Sequence, residues 1–194
     1  MCRLAAITCT EYISPMEPVL ALETMKEGHD GSGLGIMMKN LGGEFEGLKG
    51  YPILSGISSD SGLEVLDSYM ETHGFKVKHV WTPDIREVHG IRRRDHYFAK
   101  VYQYPESYQD RPQGDKEDLL MRTRLELRRL GQEDESIIVF AFYPDIIAIK
   151  EVGDPLEVSE FFGLDSSSVK AKIILAQGRQ NTNYAINLYA CHPF

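Results

Sequence analysis

Residues 136–152 read Ser-Ile-Ile-Val-Phe-Ala-Phe-Tyr-Pro-Asp-Ile-Ile-Ala-Ile-Lys-Glu-Val, which is two apolar runs separated by Pro144-Asp145. Runs rich in β-branched and aromatic residues and bounded by turn residues are typical of strands. We predict a hairpin here, and a second hairpin between residues 34–39 and 44–48 across a Gly-Gly pair. Successive hairpins favour antiparallel sheets over the regular strand-helix alternation of a parallel sheet.

Helices and single strands are predicted outward from these runs. The periodicity and the start and stop residues predict helices over residues 16–26, 60–74, 115–130 and 155–162. Apolar or alternating runs predict further strands at residues 4–10, 75–81, 92–104 and 172–176. Together, the predicted helices, strands and hairpins indicate an α+β fold. Its length of 194 residues predicts one globular domain.

The charge balance excludes several classes of partner. The chain carries 21 basic and 29 acidic residues, a formal net charge of −8. General nucleic-acid binders need a surplus of Lys and Arg to neutralise phosphates, and anionic membrane surfaces attract the same surplus. We therefore expect no nucleic acid and no membrane among the partners.

The chain also shows no targeting or membrane-spanning signal. No apolar run reaches the length that a bilayer requires, and the apolar stretch after Met1 is too short for a signal-peptide core. The three cysteines, Cys2, Cys9 and Cys191, are too few and odd in number for a disulfide framework. A cytoplasmic protein with reduced thiols is the expectation.

Cys2 is the first residue with a chemical interpretation. It follows Met1 directly and precedes a predicted buried strand. If Met1 is removed, Cys2 carries a thiol and a free α-amine together, and the amine can accept the proton of its own nucleophile. The alternative is that Cys2 is an incidental small residue.

Two polar segments elsewhere carry the other candidates. A glycine-rich turn at residues 27–36 separates a helix from a strand and lacks the lysine of a phosphate-binding loop, so a tight turn is favoured over phosphate binding. Arg179 follows the strand at residues 172–176, where an arginine can hold a carboxylate or can lie in a solvated turn. Cys191 and His192 have no partner at zinc-site spacing, so we predict no metal site.

Taken together, these segments resemble the class II, or N-terminal nucleophile, glutamine amidotransferase family. The resemblance runs in order along residues 1–194, and its final block is most similar to the amidotransferase domain or subunit of glutamate synthase. The matching residues are Met1, Cys2, Gly28, Asp30, Gly33, Ile36, Arg179, Thr182, Asn183, His192, Pro193 and Phe194.

The resemblance implies a fold and a reaction. The fold would be the four-layer αββα sandwich of N-terminal nucleophile hydrolases, within one amidotransferase-like domain over residues 1–194. The reaction would be hydrolysis of glutamine to glutamate and ammonia. Cys2 would be the catalytic nucleophile, Arg179, Thr182 and Asn183 would bind the substrate, and a second set would be structural near the site. That second set is Gly28, Asp30, Gly33 and His192.

The resemblance also implies partners. Ammonia would pass to an acceptor on a glutamate synthase catalytic domain or subunit, a step of nitrogen assimilation. FMN and iron–sulfur clusters would belong to that partner, and no cofactor to this chain. The alternative function is a non-catalytic amidotransferase-like subunit with an assembly or regulatory role.

Several positions depart from the family pattern. Arg3 stands where the family usually has glycine, Glu27 stands where it has arginine, and Gly178 replaces a common histidine or glutamine. The family's Asn-Gly pair, which supplies the oxyanion hole, has no counterpart, because the sequence contains no Asn-Gly dipeptide. We therefore expect that the domain lacks the C-terminal part of the family domain and that a second segment completes it by docking on an exposed sheet edge or apolar patch.

Overall fold

The computed structural model describes residues 3–25, 31–179 and 188. Within these residues the chain forms eight strands and four helices. The strands are β1 Arg3–Ile13, β2 Leu34–Leu41, β3 Pro52–Ser58, β4 Lys76–Trp81, β5 His96–Gln103, β6 Ile137–Pro144, β7 Ile146–Glu151 and β8 Ala171–Gly178. The helices are α1 Met16–Thr24, α2 Asp60–Thr72, α3 Gln113–Gly131 and α4 Pro155–Phe161.

The strands form two antiparallel four-stranded sheets. The first has the order β1-β8-β2-β7 and the second the order β4-β5-β3-β6. The predicted α+β class is confirmed. The chain divides into two compact units, one over residues 1–47, 83–93 and 148–194 and the other over residues 48–82 and 94–147. The prediction of one amidotransferase-like domain stays a prediction.

The first sheet is built around β8, which pairs with β1 on one side and β2 on the other. Alternation along these strands places Ala5, Ile36 and Ala176 side by side in register, and all three are buried. Helix α1 packs on β1 and β8. Its Val19 and Leu22 are fully buried, which removes apolar area from water and fixes the helix to the strands.

The second sheet carries an aromatic core. Phe75, Tyr102 and Phe142 lie in edge-on and tilted contacts with ring centroids 5.6 to 6.2 Å apart, an arrangement that aromatic quadrupoles favour. Helices α2 and α3 contribute Leu66 and Leu127 to the same core. The helices and strands of this unit are therefore held by one continuous apolar cluster.

Both hairpin predictions are wrong. Strands β6 and β7 follow each other across Pro144-Asp145, yet β6 pairs with β3 in the second sheet and β7 lies next to β2 in the first. The residues after β2 form a 3-10 turn, Gly43–Leu48, instead of a strand. A run of apolar residues predicts a strand but not its neighbour, because pairing is set by tertiary contacts.

Strand β3 was not predicted. Its sequence contains Pro52 and Gly56, residue types that are depleted from strand interiors. The structure explains them. Pro52 stands first, where a missing N–H is tolerated, and a Cβ on Gly56 would overlap the carbonyl of Ile138 in the paired strand.

Candidate active site

Three chain segments meet at one end of the first sheet. The register places both Arg3, the first residue of β1, and Leu34, the first residue of β2, opposite Gly178, the last residue of β8. The start of β1, the start of β2 and the end of β8 are therefore neighbours. Two candidate residues of the sequence, Gly33 and Arg179, directly adjoin this end of the sheet.

A backbone hydrogen bond ties the turn to β8 beyond the last strand pair. The N–H of Arg179 donates to the carbonyl oxygen of Gly33 at 2.8 Å. Gly31 has φ +74° and Gly33 has φ +147°, conformations that residues with a Cβ rarely adopt. Residues 27–30 of the predicted tight turn lie outside the described residues, and the strand that follows the turn, β2, lies beside β8 and not beside the N-terminal strand β1.

Polar and charged side chains are buried at this end of the sheet. Arg3 and Arg179 are each 5% exposed, Ser32 is fully buried and Glu151, the last residue of β7, is 1% exposed. β7 lies next to β2, and the backbone N–H of Asp154 lies beside Gly31. Charged groups are rarely buried unless they are paired or serve a ligand, so the buried arginines Arg3 and Arg179 make this end of the sheet a candidate site.

The two guanidinium groups have unmet hydrogen-bond capacity. Nη1 of Arg3 donates to the carbonyl oxygen of Leu22 at 2.6 Å, but its Nε is buried and has no partner among residues 3–25, 31–179 and 188. Nη1 of Arg179 is likewise buried and has no partner in this part of the chain. A buried N–H without an acceptor costs about 1–3 kcal/mol. Buried guanidinium donors of this kind can bind a carboxylate, which accepts two parallel hydrogen bonds.

Two of the predicted site residues, Gly33 and Arg179, lie in the described chain, and the structure brings them together. Cys2, which precedes Arg3 in the chain, lies outside the described residues, and so do five other predicted positions. These are Gly28, Asp30, Thr182, Asn183 and His192. Their roles stay predictions.

Sequence reasoning missed Arg3 and Glu151 as members of the cluster. Arg3 was interpreted only as a departure from a family pattern. Alternation in β1 places it on the same face as Ala5, so the period of two was a signal that an arginine would be buried there. Glu151 ends an apolar run with no local feature that predicts its burial.

A groove elsewhere in the second unit has a different character. Its volume is about 450 Å³ and Val65, Tyr69, His73 and Leu130 contribute to its lining. The ring of His73 stacks on Tyr69 with centroids 3.9 Å apart, and its Nδ1 forms a hydrogen bond with the carbonyl oxygen of Tyr69. No thiol lines the groove, so it offers none of the chemistry that the sequence predicts.

Among residues 3–25, 31–179 and 188, no three His, Cys, Asp or Glu side chains are grouped so that they could hold a metal ion. No helix in the described part of the chain is both long enough and apolar enough to cross a membrane.

Comparison with known proteins adds no assignment. No protein-family model matches the chain, and no curated protein matches it.

Proposed function

We propose that this chain is a class II glutamine amidotransferase domain of the glutamate synthase kind, which hydrolyses glutamine to glutamate and ammonia. One observation carries the proposal. The three sequence segments that resemble this family are far apart in the chain, yet two matching residues, Gly33 and Arg179, and Arg3, which directly follows the matching Cys2, meet at one end of one sheet. An accidental likeness of short motifs would not require their flanks to be neighbours.

The architecture supports the same proposal. Two antiparallel sheets with helices are the layers that an αββα sandwich of N-terminal nucleophile hydrolases is made of. In the proposed fold, strand β1 begins immediately after the nucleophile. Its register with β8 would then bring the chain terminus beside Arg179.

The proposed chemistry uses a single residue as nucleophile and proton carrier. After removal of Met1, the thiolate of Cys2 attacks the side-chain amide carbon of glutamine, forming a carbon–sulfur bond. The carbon–nitrogen bond then breaks, and the α-amine of Cys2 delivers the proton with which nitrogen leaves as ammonia. Water hydrolyses the thioester, which releases glutamate and restores the thiol.

Substrate binding is assigned to the end of the sheet. Arg179 would bind the α-carboxylate of glutamine, because its buried Nη1 has an unused donor and a carboxylate is the complementary acceptor. Thr182 and Asn183 would shape the pocket around the substrate. A loop held by paired strands is a common location for such groups.

Partners complete the proposed reaction. Ammonia would pass to a glutamate synthase catalytic domain or subunit, which carries FMN and iron–sulfur clusters. The sequence has no Asn-Gly dipeptide, so we propose that donors to the oxyanion come from a second segment. One oxyanion donor contributes about 10² to 10³ in rate, so the co-purified assembly should hydrolyse glutamine faster than the isolated chain.

The decisive test compares two cysteines of the N-terminal segment. Glutamate and ammonia release should be abolished in Cys2→Ala and retained in Cys9→Ala, since Cys9 lies within β1 as a free, partly exposed thiol. Activity should be measured on the chain with its co-purifying partners. N-terminal sequencing of the same sample should show a mature chain that begins at Cys2.

Two other outcomes of this test would contradict the proposed glutaminase activity. Glutamine hydrolysis that persists in Cys2→Ala refutes the proposal. No hydrolysis by the wild-type chain, alone or with its partners, supports the non-catalytic subunit instead.

A further inference from the structure

We propose that Arg3 is a positioning residue for the proposed reaction, which fixes the start of β1 and therefore the backbone that carries Cys2. The inference rests on the proposed function. It concerns a residue for which the sequence pattern assigned no role.

The first observation is the place of Arg3 in the sheet. Arg3 lies in register with Gly178, whose lack of a side chain leaves space on that face of the strand pair. Alternation directs Arg3 to the face on which Ala5 is buried, and there the guanidinium is 5% exposed. The first side chain of β1 is thus fixed within the protein.

The second observation is its contact with α1. Nη1 of Arg3 donates at 2.6 Å to the carbonyl oxygen of Leu22, which also accepts the N–H of Met25 at 3.0 Å. Leu22 lies in the last turn of α1, where carbonyl groups lack helical donors and carry partial negative charge. A charge-assisted hydrogen bond therefore links the start of β1 to the end of α1.

The third observation is that stability alone does not explain an arginine here. Its Nε is buried without an acceptor among the described residues, which is unfavourable. Arg3→Met keeps a long side chain without this donor, and the carbonyl oxygen of Leu22 still accepts the N–H of Met25, so no buried acceptor is left unpaired. Arg3→Met should therefore fold, and its effect on the reaction can be measured.

These observations join two of the three segments of the candidate site. Arg3 adjoins Cys2 in the chain, and α1 leads into the glycine-rich turn whose Gly33 holds the backbone of Arg179. The arginine thus couples the position of the nucleophile to the turn beside the substrate-binding arginine. Misplacement of a reacting group by about 1 Å can cost about 100-fold in rate.

The experiment measures kcat and KM for glutamine in the co-purified assembly. Arg3→Met should lower kcat about 10- to 100-fold with KM within about threefold of wild type, because the reacting geometry is lost and substrate contacts remain. Arg3→Lys, which keeps a cationic donor, should recover part of kcat. Arg179→Met should instead raise KM, because it removes the proposed carboxylate contact.

Two controls separate positioning from general destabilisation. Ile174→Val, a buried position in β8, should cost about 0.5–1.5 kcal/mol in unfolding free energy and leave kcat unchanged. Hydrogen exchange of Arg3→Met should be faster in peptides from the start of β1 and the end of α1 and unchanged in β4.

The outcomes are distinct. An active wild type with wild-type kcat in Arg3→Met, or with exchange unchanged at the end of α1, overturns this inference and leaves the proposed function intact. A wild-type assembly that hydrolyses no glutamine overturns the proposed function, and this inference with it.

Discussion

Tyr102 shows how one hydroxyl can work against the core that surrounds it. Tyr102 is 1% exposed within the aromatic core of the second unit, and its hydroxyl is buried with no hydrogen-bond partner in the described chain. Burial, with the nearby carboxylate of Asp67, raises the pKa of the Tyr102 phenol far above its usual value. Burial also raises the pKa of Tyr104 from 10.0 to about 12, helped by the nearby Tyr143 and Glu117.

Tyr102→Phe should leave stability unchanged or increase it at neutral pH, because it removes an unsatisfied hydroxyl and keeps the ring. The folded-state pKa of this phenol is raised. Its contribution to the free energy of unfolding is therefore fully present below the unfolded-state pKa of about 10 and is lost as the pH rises above that value. Urea unfolding at pH 7 and pH 11 should therefore show a smaller alkaline loss in Tyr102→Phe than in wild type.

Tyr143→Phe is the control at pH 7. Tyr143 is 37% exposed and its hydroxyl donates to Glu117, so this variant removes a hydroxyl that is hydrogen-bonded instead of one that is unsatisfied. If Tyr102→Phe is clearly less stable than wild type at pH 7, the hydroxyl has a partner in solution and the argument fails.

At the scale of the element, two helical glycines are expected to respond in opposite directions. Gly62 lies in the first turn of α2, where its N–H donates to the side chain of Ser59 at 3.0 Å. A Cβ on Gly62 would overlap the carbonyl oxygen of Ser136, so the helix approaches the chain before β6 more closely than alanine allows. Gly114, in the first turn of α3, has open space around it.

Gly62→Ala should lower the unfolding free energy by about 1–3 kcal/mol, because the backbone must shift to relieve the overlap. Gly114→Ala should raise it by about 0.5–1 kcal/mol, because alanine loses less conformational freedom in a helix. Urea denaturation of both variants checks the pair. A stabilising Gly62→Ala would show that α2 can move away from Ser136 without loss.

The elements also show where sequence reasoning succeeds and where it does not. Helices α2 and α3 were predicted, because a buried face at helical spacing and recognisable end residues are local features. Strand β3 was missed because Pro52 and Gly56 are acceptable only through the strands beside it. The hairpins were wrong because β6 and β7 are each paired with a strand distant in the chain.

The candidate site likewise contains residues that the sequence could predict and one that it could not. Arg179 and Gly33 were singled out from short motifs, and the structure joins them by a backbone hydrogen bond and places Gly33 at a positive φ that favours glycine. The burial of Arg3 depends on its register with Gly178 and on the end of α1, which are separate in sequence. A charge whose partner is a distant backbone carbonyl leaves little sign in the sequence beyond its position on an apolar strand face.

On the scale of the whole molecule, the pairing of β1 with β8 determines when the site can form. β8 is the neighbour of β1 in the described sheet, and the two strands lie near opposite ends of the described chain. Closing so long a loop is entropically unfavourable and slow. In refolding followed by pulse-labelled hydrogen exchange, amides of β1 should gain protection together with those of β8. Protection of β1 amides before those of β8 would contradict this prediction.

The same pairing has a consequence during translation. The first strand leaves the ribosome long before its partner is made, since synthesis proceeds at about 5–20 residues per second. Throughout that interval β1 lacks β8, the strand with which it will pair, so an aminopeptidase has time to reach Met1. If Met1 is removed as the proposed function requires, its removal can therefore precede the pairing of β1 with β8.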